Sequence, residues 1–118
     1  MSVDYEAQIV EMLSRRTPEL AQYPHDDWGG PGELLCLYER TRGEERGKLT
    51  AAMGNVLGKP DVTITVKADL VHIITSLDIA GIDSAVMRLS QTPQAQQQPL
   101  ECALRKYFAH YELSTSHF

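Results

Sequence analysis

Cysteine is scarce: Cys36 and Cys102 are the only two in the chain. Two thiols cannot build the framework of bridges that staples small secreted folds. Both fall within apolar helical patterns, so the expectation is two buried free thiols. Long hydrophobic runs are missing as well, and nothing approaches the ~18 apolar residues that cross a bilayer. The opening stretch, MSVDYEAQIVEM, is acidic and amphipathic. It lacks the basic start and apolar run of a secretory signal. A cytoplasmic protein with no membrane partner is therefore expected. An excess of positive charge is lacking too: 11 Lys and Arg stand against 16 Asp and Glu, for a net charge of −5. That balance argues against a broad nucleic-acid-binding surface. The local cluster Arg40, Arg42, Arg46 and Lys48 is interleaved with Glu39, Glu44 and Glu45, and reads as a solvated turn.

Chemical signatures are equally thin. No GxSxG, CxxC or HExxH occurs, and the GGPG at 29–32 lacks both the spacing and the Lys-Ser/Thr of a phosphate loop. His25, Asp26 and Asp27 are adjacent, so they cannot converge on one ion without unusual backbone geometry, and their spacing fits no zinc or calcium pattern. No metal and no cofactor are expected. Asp69, His72 and Ser76 share one helix face. Three side chains pointing outward in a row cannot surround a substrate with an oxyanion hole, so a satisfied polar seam is the expectation there.

What the chain does have is helical periodicity. The stretch 61–77, DVTITVKADLVHIITSL, is the best organised. At about 100° per residue its apolar positions fall on two faces. Val62, Val66, Leu70, Ile73 and Leu77 form one; Ile64, Ala68, Val71 and Ile74 form the other. Thr65, Asp69, His72 and Ser76 make a narrow polar stripe, with Lys67 and Thr75 at the edges of the second face. A helix this apolar is buried between neighbours. Pro60 precedes it and Asp61 is the expected N-cap. The alternation of Val62, Ile64 and Val66 with threonines would also suit a short strand, but the i, i+4 series runs unbroken to Leu77.

Around this centre the pattern predicts a first helix over about 3–16, ended by Thr17-Pro18, with Tyr5, Ile9, Met12 and Leu13 as its stripe. A loop, YPHDDWGG at 23–30, follows. A second helix runs from Pro31 to about Arg42 with Gly43 as its stop, and a third over 44–57 carries Leu49, Ala52, Met53, Val56 and Leu57. After a turn at 78–81, Asp83 or Ser84 caps a helix holding Ala85, Val86 and Leu89. QAQQQP is a polar connector, and a last helix over 99–113 carries Leu100, Ala103, Leu104, Tyr107, Phe108 and Tyr111. The fold class expected is all-α, one domain over 1–118, with about six helices in a hairpin stack or a compact bundle.

An ungapped shift of 51 residues compares 34–57 with 85–108. Leu34 meets Ala85, Leu35 meets Val86, Leu49 meets Leu100, Met53 meets Leu104 and Leu57 meets Phe108. Ten positions are apolar in both windows. Each window holds eleven apolar residues among twenty-four positions, so random placement would give about five. Two helical hairpins, about 31–58 and 82–112, linked by the helix at 61–77, resemble a HEAT or armadillo-type α-solenoid. That resemblance covers about 31–112 and implies a protein-binding surface and no activity.

The functional expectation is a non-enzymatic protein-binding module, in one version an immunity-type inhibitor of a basic toxin or nuclease. Net negative charge would steer it toward such a partner. The contact residues expected are Tyr23, His25, Asp26, Asp27 and Trp28 in the acidic-aromatic loop, with Asp69 and His72 on the polar stripe. The partner would be another protein, and a homodimer is compatible with the pattern. The alternatives are an adaptor or subunit of a larger assembly, and a small enzyme or ligand-binding domain that uses the Asp69/His72 seam.

Overall fold

Residues 64–77 form a helix, as the two-faced pattern requires, and it is covered by four others. The computed structural model describes residues 4–14 and 30–111, and among them it is all-α. Its helices are α1 (Tyr5–Ser14), α2 (Gly30–Arg40), α3 (Gly43–Leu57), α4 (Ile64–Leu77), α5 (Asp83–Ser90) and α6 (Leu100–His110). A short 3-10 turn, Pro93–Gln96, joins the last two. Helix α4 packs most extensively on α6 and also touches α1, α2 and α3. Val66, Leu70 and Ile73 on one face and Ala68, Val71 and Ile74 on the other are all buried. The expected stripe of α3 is buried in full, as are Leu100, Ala103, Leu104, Tyr107 and Phe108 of α6.

The packing is that of a small bundle. Helix α1 lies against α2 and α3, and α3 lies against α5. The arms of the two expected hairpins, α2 with α3 and α5 with α6, are not among the principal packing pairs. Arg46 still ties α2 to α3, its guanidinium 4.3 Å from the Tyr38 ring centroid and donating to the Tyr38 carbonyl at 3.0 Å.

Several boundaries differ from expectation for local reasons. Thr63, not Asp61, caps α4, and its hydroxyl accepts from the Val66 N–H at 3.3 Å. The turn that brings the Val62 N–H to the Lys59 carbonyl delays the helix, while the Val62 side chain is already in the core. Gly43 does not stop α2. It opens α3 with φ +57, a conformation that glycine adopts without steric cost. Neither Asp83 nor Ser84 caps α5, whose N-cap position is Ile82 with no side-chain bond. Asp4 does close the start of α1, accepting from the Ala7 N–H at 3.1 Å. The two cysteines are exposed, not buried. Cys36 follows Leu34 by two residues and Cys102 follows Leu100 by two, about 200° round the helix from a buried position.

The far end of α4 is locked to α6. Asp78 takes the left-handed conformation at φ 54, and the Ile79 N–H returns to the Ile74 carbonyl at 3.1 Å. The Asp78 carboxylate accepts from the Tyr111 hydroxyl at 2.6 Å. Burial, and then that bond, push the tyrosine up to about 12.

Ile73 is 3% exposed and Thr65 is exposed. Ile73→Ala should therefore cost about 2–5 kcal/mol, the range for truncating a buried isoleucine, and Thr65→Ala far less. Urea denaturation of the two variants measures both, and equal losses would show that the faces of α4 are wrongly assigned.

Candidate functional site

Tyr23, His25, Asp26, Asp27 and Trp28 lie outside the described residues, so the loop half of the expected site has no geometry to report. The polar-stripe half is altered. Thr65 and Ser76, at its ends, are exposed, but Asp69 in the middle is 6% exposed and His72 is half-buried. Neither Asp69 nor His72 is without an interaction partner. With α4 packed on four helices, the middle of its polar stripe is covered while both ends reach solvent. Asp69 and His72 thus occupy the partly enclosed middle of the stripe. Among the described residues, no group of three or more His, Cys, Asp or Glu could hold a metal ion.

The structure places an open groove elsewhere. Helices α3 and α5 approach closely at Gly54, where a Cβ would meet the Ala85 Cβ at 3.4 Å. Beside that contact lies a groove of about 610 Å³. One wall comes from the end of α3 and the turn after it, the other from α5 and the connector that follows, and Lys67 of α4 reaches in between them. Leu57, Pro60, Ala85, Leu89 and Pro93 supply its apolar lining.

Lys67 is the unusual residue. It is 2% exposed, among the largest fully buried side chains of the chain. Its ammonium donates to the Gln94 amide oxygen at 2.7 Å, and no carboxylate stands within ion-pair distance among the described residues. Burial pushes its pKa down, with the more distant Asp61 carboxylate acting the other way. Two further cations line the groove, Lys59 and Arg88. Lys59 is held toward α1 by an ion pair with Glu6 at 2.9 Å, which raises its pKa. Arg88 is exposed and makes no ion pair among the described residues. Among the described residues no Asp or Glu lines the groove, although the chain as a whole is acidic. Chemically, the arrangement can accept an anionic group beside apolar surface.

Sequence reasoning missed Lys67, Arg88 and Gln94. A signal existed for Lys67: it is the one Lys or Arg in 61–77, a lone cation in the most apolar helix. Placing it at the edge of an apolar face treated it as a side chain that could reach water along its stem. For Gln94, a polar connector gives no local hint that one of its amides meets a residue 27 positions earlier.

The Lys67 shift has a consequence for stability. Its folded pKa lies below its unfolded value of about 10.4, so the unfolded chain binds more protons in the interval between them. The burial cost is present in full below the folded pKa and is relieved as pH rises through it toward about 10.4. Lys67→Met removes that dependence. The wild type should gain stability relative to the variant as pH rises through that interval, and the variant should be at least as stable at neutral pH. Urea midpoints of both proteins over a pH series test this, and parallel curves would mean that the folded ammonium is fully hydrated.

No helix among the described residues is long and apolar enough to cross a membrane. Comparison with known proteins finds no matching family model, no matching curated protein and no matching solved structure.

Proposed function

We propose that this chain is a non-enzymatic binding module that works by contact with another protein, and that the groove between α3 and α5 is its contact surface. The observation that carries this reading is the shape of the groove. It is open to solvent, with walls from α3, α5 and the two connecting segments. A site for a small molecule usually encloses 70–90% of its ligand's surface. An open groove instead suits a length of chain that can continue beyond it into solvent. Its volume is ample for a few side chains, and the apolar lining supplies area to bury.

The immunity-type version places the contact in the 23–28 loop and calls for a basic partner. The groove offers a second surface with the opposite charge. The adaptor version needs no particular charge and is served by either.

Capture experiments on tagged protein in its own cells separate the two surfaces. A protein partner recovered by the wild type should be lost with Arg88→Glu, and kept with Lys48→Glu on the exposed side of α3. Retention by Arg88→Glu together with loss in the Asp26→Asn/Asp27→Asn double variant would move the interface to the loop. Recovery of a small ligand with no protein would end the module reading.

A further inference from the structure

We infer that the groove recognises an acidic, apolar peptide segment of the partner, with one carboxylate of that segment bound by Lys67 and Arg88. The inference rests on the module reading above and adds the chemistry of the occupant. Three observations carry it. Among the described residues, the charged side chains lining the groove are Lys59, Lys67 and Arg88, with no carboxylate among them, on a molecule of net charge −5. The Lys67 ammonium is buried beside the groove and has three N–H donors, of which the Gln94 amide oxygen takes one. That bond also occupies the Gln94 oxygen, leaving its N–H groups as the side the amide can offer a ligand. A carboxylate carries only acceptors and suits the donors that Lys67, Gln94 and Arg88 bring to the lining.

The same groove supplies apolar surface from Leu57, Pro60, Ala85, Leu89 and Pro93. A free carboxylate or phosphate would leave that surface wet and would be held by charge alone. An acidic residue flanked by apolar ones uses both parts. Extended chain suits an open groove, because its neighbouring residues can continue beyond it.

The test is selection from a displayed random peptide library on the full chain, followed by anisotropy titration of capped, labelled winners. The expected winners carry Asp or Glu flanked by apolar residues. Changing that acid to its amide should weaken binding roughly tenfold or more, the loss expected for a hydrogen-bonded charge. Lys67→Met and Arg88→Ala should each weaken the acidic peptide and leave its amide counterpart unchanged. Circular dichroism establishes that the variants fold, and exposed Arg88 keeps the test open if Lys67→Met does not. Winners without an acid, or affinities indifferent to both substitutions, would overturn this inference and leave the module reading standing. Competition by inorganic phosphate at the peptide's own concentration would also overturn it, making the groove a small-anion site. A library that yields no binder at all would count against the module reading itself.

Discussion

Everything else in this structure depends on the enclosure of α4. A helix with apolar side chains on two faces has no stable place on a surface, since either face left in water forfeits roughly 1.5–3 kcal/mol for each large side chain. Packing α6 along one side, with α1, α2 and α3 around the rest, satisfies both faces at once. The remaining helices take their positions from that demand. Helix α5 makes little contact with α4 and leans on α3 instead, through the close approach at Gly54. The groove is what remains beside that approach, with α4 beneath it.

Enclosure has a cost at one position. A side chain at 67 falls inside whatever covers α4, and here it is a lysine. Removing an ammonium from water costs several kcal/mol even after relaxation. One hydrogen bond to a neutral amide returns about 1.5–3 kcal/mol at most. Packing alone would be served as well by Met, which fills similar volume with no charge to desolvate. A cation kept where it weakens the fold is a common mark of a site that does something else. Asp69, on the same helix, is also buried but has an interaction partner. Lys67 has one hydrogen bond among the described residues, to Gln94, with the Asp61 charge farther off.

Much of the architecture was legible because it depends on periodicity. The buried stripes of α3, α4 and α6 follow the i, i+3, i+4 spacing, and no distant residue is needed to read them. What failed needed information from elsewhere in the chain. Asp61 is the better N-cap in isolation, but a turn at 59–62 moved the start of α4 to Thr63. Between the hairpin stack and the compact bundle that the pattern allowed, sequence adjacency could not choose, because the pairing of α1 and α4 with the other helices is long-range. The cysteines were placed inside because their neighbours are apolar, yet two residues along a helix is about 200° of rotation. The groove was illegible for the same reason. It joins residues near 55, 67, 88 and 94, and no local pattern announces that they meet. The loop at 23–28 drew attention through composition, and it lies outside the described residues.

Charge sets the manner in which such a groove works. The molecule is acidic overall and cationic in one recess. At a distance an acidic segment meets net repulsion, so it gains none of the long-range steering that speeds complementary pairs. At ~0.15 M salt the Debye length is about 8 Å. Surface repulsion is then largely screened, while the contact with Lys67, shielded by its own burial, is screened much less. Moderate salt would therefore speed encounter without dissolving the bound pair, the reverse of what an acidic protein shows toward a basic partner. The acidic exterior also limits what can compete. A polyanion long enough to reach past the recess meets a molecule of net negative charge. A single acidic residue on an apolar segment places its charge within the recess and little outside it. On the proposed reading, the net charge would therefore favour a short, sparsely charged segment over nucleic acid.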